Sequence, residues 1–393
     1  MLAGIMRFKK KIPMSFFRLL TMHSHQYGVS LIYFTPEDIK IKEKKIIGKM
    51  LLNDQLVEIE SRVPDYIDVS PHFFNKKNSK KYKTEVNFLK KNSDLSIDRR
   101  QIIRKDRLQK VLLESNTFSH LSIPTFKIKE FDDFIKYINK YNKVIFKSTS
   151  GLQGKGVTVI TKNNQDFIIG EQREDKVLNL NQLEEFFNEH IYEKNYIMQR
   201  YINSRSKTGD PIDCRIHLEK NDKGKWEVAR KFIRVGIGQK VVSNISQGGC
   251  IADVKSYLKF TFGNEWEQIY RKITNIETKL PYFIEKHEKK KFMVMGFDVA
   301  IDLNGELYIF EVNSFPIIAP QRAQVARIRS GYYAFRIKSN INRNKTSSKD
   351  KTRKPKLNGD FYKKEYHKLI NSTSWKISKP VRQVGHLIKK FKR

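Results

Sequence analysis

Residues 293–316 read MVMGFDVAIDLNGELYIFEVNSFP. Two apolar runs flank Asn304-Gly305, the dipeptide best suited to a two-residue type I′ turn, so the segment is expected to fold as a β-hairpin. With those two residues as the loop, Leu303 faces Glu306, Ile301 faces Tyr308, Val299 faces Phe310 and Asp298 faces Glu311. Asn313, two residues past Glu311, falls on the carboxylate side. Opposed side chains on paired strands have Cβ atoms roughly 4.5–5.5 Å apart, and like charges there repel. Two carboxylates and an amide oxygen on one face therefore call for a cation, and an all-oxygen set suits Mg2+ or Mn2+. The plainer alternative is a surface hairpin whose acids are simply solvated. Register decides between them: a slip of two residues makes the acids diagonal, and a slip of one sends them to opposite faces.

The chain has 393 residues, enough for two or three units with cores of their own. No run approaches the ~18 uninterrupted apolar residues of a membrane span. The first twenty residues are too broken by lysines for a secretory signal. Cys214 and Cys250 are the only cysteines, too few for a disulfide framework or a zinc site. A cytoplasmic protein is expected, with peripheral contact at the inner face of the membrane as an option. The net charge of +35 implies anionic partners. Residues 336–393 hold 19 Lys+Arg against 3 Asp+Glu, a surplus of 16, which leaves +19 for the first 335 residues.

Residues 1–100 read as a small α/β domain. Residues 29–34 and 56–59 are expected strands, 15–22 a helical stretch, and 75–81 a polar loop. Helical apolar spacing over residues 102–113 carries Lys105 on its basic face. Residues 144–147 and 157–160 are short strands around Ser-Thr-Ser-Gly-Leu-Gln-Gly-Lys-Gly. Gly151, Gly154 and Gly156 allow a sharp turn whose backbone N–H groups approach an anion, and Lys147 and Lys155 add point charges suited to phosphate. A strand follows where a Walker A loop would start a helix, so the pattern is that of a lid. Glycine-rich hairpins are common, and alone this one is a weak signal. Residues 196–202 form a further strand. Residues 213–218 and 226–234 form a second hairpin, with Arg230, Phe232 and Arg234 on one face and Arg215 able to join them. His217 lacks a metal partner and reads as structural. Residues 257–289 read as one long helix with Ile269, Ile273, Ile276 and Leu280 inward, and residues 321–336 as a closing helix before a linker at 338–356.

The order strand, glycine flap, strand, linker strand, basic hairpin, then Gly296-Phe297-Asp298 paired with Phe310-Glu311-Val312-Asn313 resembles the ATP-grasp superfamily, in its YheC/YheD-like, spore-coat-associated branch. The resemblance covers roughly residues 99–336. It implies an α+β ATP-grasp fold, two α+β subdomains (residues 101–198 and 199–336) sandwiching a nucleotide, preceded by the α/β domain of residues 1–100 and followed by a basic tail, 337–393. It implies ATP and Mg2+ (or Mn2+) as cofactors, with Asp298, Glu311 and Asn313 as metal ligands. Lys147, the flap (Gly151, Gly154, Lys155, Gly156) and, through the upstream lysine, Lys105 would hold phosphates. Gln199, Arg200, Tyr201 and Ile202 would be the hinge that meets adenine, although such families often place an acid where Gln199 stands. Arg234 resembles the phosphate-contacting arginine, with Arg215 and Asn244 beside it. The implied reaction is carboxylate–amine ligation through an acyl phosphate, with Lys147 and Arg234 supporting catalysis.

Residues 374–382, Ser-Trp-Lys-Ile-Ser-Lys-Pro-Val-Arg, are similar to a short segment found beside bacterial surface-glycan glycosyltransferases. Beyond it Val381, Val384, Ile388 and Phe391 share a helical stripe among basic residues, which suits an anionic membrane surface or glycan, or equally a helix docked on the protein's own body. The readings are thus a ligase of cell-envelope, capsular-polysaccharide or spore-coat assembly; a catalytically inactive, nucleotide-binding, membrane-associated interaction protein; and a nucleic-acid binder. The last rests on charge alone, since no aromatic and basic residues interleave in a nucleic-acid-reading motif.

Overall fold

The computed structural model describes residues 1–74, 76–96, 103–148, 157–171, 174–192, 196–237 and 249–347. Met1–Asn340 form one compact unit and Ile341–Arg393 a second, of which only the end of a helix is described.

The first unit holds three sheets. The first comprises β1 (Leu2–Met6), β2 (Ser30–Phe34), β3 (Ile39–Lys40), β4 (Lys45–Leu52), β5 (Gln55–Arg62), β6 (Tyr66–Val69) and β7 (Asp94–Leu95), with α1 (Met14–Gln26), α2 (Lys76–Lys81) and α3 (Lys83–Asn92) between them. Strand β1 lies between β2 and β6, parallel to both, and β7 continues the parallel set. Both β1 and β2 are almost wholly buried, as expected of parallel strands covered on two faces. Residues 76–81, expected as loop, are helical. Their sequence, KKNSKK, has no apolar period to read. The turn is held instead from outside, by Asn78 Nδ2 donating to the His72 carbonyl (2.9 Å) and by the Tyr82 ring against Phe73.

The second sheet is antiparallel, in the order β12-β11-β10-β9-β13-β8. Its strands are β8 (Thr125–Lys127), β9 (Lys143–Ser148), β10 (Val157–Asn163), β11 (Asp166–Glu171), β12 (Glu174–Leu178) and β13 (Tyr196–Arg200). Helix α4 (Lys105–Leu113) precedes it, and α5 (Phe131–Tyr141) and α6 (Leu180–His190) cover it, burying Phe134, Ile138, Phe146, Leu183 and Phe187 together.

The third sheet is also antiparallel, ordered β16-β15-β14-β17-β18: β14 (Ile212–Lys220), β15 (Trp226–Val235), β16 (Cys250–Ala252), β17 (Val294–Ile301) and β18 (Leu307–Asn313). Cys214, Ile216 and Leu218 point to the core face, against Ile269, Ile273, Ile276 and Leu280. That inner stripe is the one the spacing predicts, but the helix is two helices. Gly263, with φ +51°, ends α7 (Val254–Phe262), and α8 (Trp266–Glu288) starts after a short turn. A residue at positive φ cannot continue a right-handed helix.

Helix α9 (Arg322–Ser347) runs past the point where a linker is expected. It ties the third sheet to the first. Arg329, fully buried, pairs with buried Glu219 of β14, while the Tyr333 hydroxyl donates to Asp68 of β6 (2.5 Å) and Ser330 meets Ser24 of α1. Burial pushes the Glu219 pKa up, but Arg329 and His217 outweigh it and hold it below the usual carboxylate range. Removing one partner of a buried pair leaves the other charged in a medium that cannot solvate it. Arg329→Met is therefore expected to lower unfolding free energy by about 3–5 kcal/mol, and the double variant Arg329→Met/Glu219→Leu to recover most of that loss, both measured by urea unfolding.

Candidate active site

The hairpin of residues 293–316 forms, but not through the expected turn. Asn304 does not adopt positive φ, whereas Gly305 does (+72°); the Gly305 amide donates to Asp302 O and the Asp302 amide to Glu306 O, each at 3.0 Å. The loop is thus three residues, Leu303-Asn304-Gly305, with Gly305 left-handed. The Asp302 carboxylate stabilises it by accepting the amides of Asn304 and Glu306, each at 2.9 Å. The longer loop shifts the first pairs by one residue. Ile301 faces Leu307, Ala300 faces Tyr308 and Val299 faces Ile309, correcting the expected Val299–Phe310 and Ile301–Tyr308 pairs. A bulge between Asp298 and Val299, which leaves Phe310 unpaired, shifts the register back. Asp298 then faces Glu311 and Gly296 faces Asn313.

The same face of β14 and β15 supplies cations. Arg215, directly across from Asp298, grips its carboxylate with Nε (2.5 Å) and a terminal nitrogen (2.9 Å). Arg234 pairs with Asp213 across β14–β15 and also reaches Asp298 at 2.9 Å. Burial pushes the Asp298 pKa up, but the two guanidiniums outweigh it and hold the carboxyl below its usual range. For Asp213 burial wins and the pKa is raised. Lys105, the first residue of α4, pairs with Glu311 at 3.2 Å. Buried Gln109 holds α4 in place: its Nε2 donates to Ile309 O and its Oε1 accepts the Ile123 amide, each at 2.7 Å. Lys147 of β9 is buried within electrostatic reach of Lys105, Glu311 and Asp298. Desolvation and then Lys105 pull its pKa down to about 8, against the pull of the two acids.

The structure thus gathers Lys105, Lys147, Arg215, Arg234, Asp298, Glu311 and Asn313 around one hairpin. The stretch expected as hinge packs on the same hairpin. Gln199 is buried and donates from Nε2 to Thr125 Oγ1 (2.6 Å). The Arg200 guanidinium lies 5.4 Å from the Tyr308 ring, its buried Nε without a hydrogen-bond partner among the described residues. Tyr201 accepts from Arg205 Nε (2.9 Å) under the Lys143 ammonium, and Ile202 packs with Ala300, Tyr308 and Phe310. Gly151, Gly154, Lys155, Gly156 and Asn244 lie outside the described residues. His217 is buried between Glu219 Oε1 (2.8 Å) and Gln321 Nε2 (2.7 Å), the structural place expected of it. Asp213, Gln109 and Thr125 are partners that the spacing did not single out. Asp213 was findable, since it lies two residues before Arg215 and so on the same strand face.

The oxygens suit a divalent cation. Among the described residues no three His, Cys, Asp or Glu side chains form a metal cluster, and the oxygens gathered here are two carboxylates and one amide. Asn313 Oδ1 is buried with no hydrogen-bond partner among the described residues, which is costly unless a ligand meets it. Gly296 makes room for it: a Cβ there would fall 2.5 Å from that oxygen.

The model of the YheC/D-like ATP-grasp family matches residues 95–334. The chain belongs to this family. The fold is accordingly the α+β ATP-grasp fold. Among its relatives is the endospore coat-associated protein YheC of Bacillus subtilis, 22% identical over 80% of this chain and 88% of that protein. The endospore coat-associated protein YheD of the same organism is 24% identical over 45% of this chain and 40% of its own length. Similar solved structures include D-cycloserine synthetase DcsG (TM-score 0.47, 11% identity, 88% of this chain and 99% of that one). Another is N5-carboxyaminoimidazole synthetase of Staphylococcus aureus with ADP (TM-score 0.45, 12% identity, 84% and 77%).

The sign of the Lys147 shift sets a pH dependence. A lysine whose folded pKa lies near 8 is charged below that value and loses its ammonium as pH rises through it. ATP affinity measured by calorimetry is expected to fall from pH 7 to pH 9, and Lys147→Arg, always charged, to flatten that part of the profile.

Proposed function

We propose that the chain is an ATP-dependent carboxylate–amine ligase acting through an acyl phosphate. The observation that carries this reading is Asp298 opposed to Glu311 among four cations, Lys105, Lys147, Arg215 and Arg234. A carboxylate oxygen of the acid substrate attacks the γ-phosphorus of ATP, and the bond to the β-phosphate oxygen breaks, giving an acyl phosphate and ADP. The amine of the second substrate then attacks the acyl carbon; the bond to phosphate breaks, inorganic phosphate leaves and the nitrogen gives up a proton. Charge on the transferring oxygens is best met by fixed cations, the role of Lys147 and Arg234. Asp213 keeps Arg234 oriented whichever partner Asp298 takes. Asp298, Glu311 and Asn313 would hold Mg2+ or Mn2+, which supplies further charge neutralisation at the phosphates. Lys105, Arg215 and Asn244 contact phosphate, and Gln199, Arg200, Tyr201 and Ile202 border the adenine. The flap of Gly151, Gly154, Lys155 and Gly156 covers the phosphates and keeps water from the acyl phosphate. Residues 101–198 and 199–336 are the two halves of the site, residues 1–100 the substrate-side domain, and residues 337–393 a basic tail.

The names of the two relatives and the segment at residues 374–382 support a place in spore-coat, capsular-polysaccharide or other cell-envelope assembly. No helix among the described residues is long and apolar enough to cross a membrane. The tail segment, outside the described residues, is proposed to bring a cytoplasmic protein to an anionic membrane or glycan surface.

Glu311→Ala is expected to lower Mg2+-dependent ATP turnover at least about a hundredfold while leaving circular dichroism and melting temperature unchanged. Absence of Mg2+-dependent ATP binding in the unaltered protein contradicts the ligase reading. Deleting residues 372–393 is expected to release the protein from anionic liposomes at low salt; unchanged co-sedimentation contradicts the membrane role of the tail.

A further inference from the structure

The parallel sheet reverses its winding at β1, so the carboxyl ends of β1 and β6 lie side by side. In open α/β sheets ligands seat in the crevice beyond such ends. Here that edge is basic. Beyond β1 the chain reads Arg7-Phe8-Lys9-Lys10-Lys11, and beyond β6 residues 76–83 hold five lysines and no acid. Phe8 stacks on Phe73 (ring centroids 3.7 Å), and Tyr82 closes on both at 5.9 and 5.6 Å, so the two segments make one rim. Lys9, Lys10, Lys77 and Lys80 are exposed on it.

Arg7 differs from these lysines. It is half-buried, and its guanidinium is fixed by the carbonyls of Met6 (2.9 Å) and Asp68 (2.6 Å) and by the Asp68 carboxylate (3.3 Å). Two acids near this edge hold hydrogen bonds of their own. Asp38 accepts the Thr35 amide and hydroxyl, each at 2.8 Å, and Glu37 accepts the Tyr82 hydroxyl at 3.3 Å. The rim also reaches the hairpin of the candidate active site: the His72 ring meets Phe315, two residues past Asn313, at 6.2 Å.

We infer that this carboxyl edge binds a polyanionic co-substrate, one carrying several phosphate or carboxylate groups, and presents its reactive end to the hairpin. The reaction step rests on the ligase reading; the binding does not. A row of like charges held on a rigid aromatic frame raises the local concentration of an oppositely charged chain. Lysines suit this task, because as point charges they accept phosphate and carboxylate alike.

The test is fluorescence anisotropy on the full chain saturated with Mg2+ and a non-hydrolysable ATP analogue, so that the phosphate-holding cations are occupied. The probes are labelled hexaglutamate and a labelled oligo(glycerol phosphate), each at about 50 and 300 mM NaCl to expose the electrostatic part. The triple variant Lys9→Glu/Lys10→Glu/Lys80→Glu, all solvent-facing substitutions, is expected to weaken the better-bound probe about tenfold or more. A charge-matched control, Lys223→Glu/Lys225→Glu/Lys286→Glu, is expected to change it less than about twofold, and the loss caused by the first triple variant is expected to persist when residues 348–393 are deleted as well. The probe that binds more tightly identifies phosphate or carboxylate as the source of the charge. Equal loss from both triple variants, disappearance of the Lys9/Lys10/Lys80 effect once residues 348–393 are deleted, or binding of neither probe overturns the inference. Probe binding that persists in a protein without affinity for ATP upholds this site while removing the ligase reading, so the two fail separately.

Discussion

Two carboxylates set face to face on adjacent strands are unstable unless something positive comes between or around them. Asp298 and Glu311 stand in that relation, and much of the first unit is arranged to meet it. Arg215 and Arg234 come from the neighbouring strands, Lys105 from the start of α4, and Lys147 from a different sheet. The elements that carry Lys105, Arg215 and Arg234 share one core, whereas Lys147 comes from the separate core of the second sheet. The site therefore depends on the packing of the third sheet against α7 and α8, and on the Gln109 bridge that seats α4.

The cluster is not evenly balanced. Asp298 is held ionised by two guanidiniums, whereas Lys147, buried and facing Lys105, is held less firmly in its charged form. Asn313 Oδ1 has no hydrogen-bond partner among the described residues at all. A site with one weakly held cation and one unmet oxygen is suited to a ligand bringing both negative phosphate and a divalent ion, because each relieves one of these costs.

Much of this was legible in the sequence, and the misses have physical reasons. The pairing of Asp298 with Glu311 followed from the assumed two-residue turn, yet the structure reaches it by a three-residue loop and a compensating bulge. Asn-Gly signals a tight turn, but which of its residues takes positive φ depends on the capping Asp302, and a bulge leaves no mark in an alternating pattern. Strand β12 (EDKVL) is hidden by its polar residues and the break at Gly263 by an apolar stripe that continues across it, whereas β11 (DFIIGE) does carry a readable apolar run. The KKNSKK helix has no period, so only its neighbours can specify it. Long amphipathic segments, by contrast, were readable to their inner faces: Ile269, Ile273, Ile276 and Leu280 are all buried as their spacing requires. His217 was read as structural from the lack of a second ligand, and its neighbours Glu219 and Gln321 bear this out.

The most direct test of the central claim is a crystal structure of the chain grown with Mn2+ and a non-hydrolysable ATP analogue, with the metal located by its anomalous signal. The account predicts Mn2+ within coordination distance of the Asp298 and Glu311 carboxylates and of Asn313 Oδ1, with the phosphates against Lys147 and Arg234. A nucleotide bound with the metal elsewhere, and Asp298 still clasped by both arginines while Asn313 Oδ1 stays unmet, would contradict it.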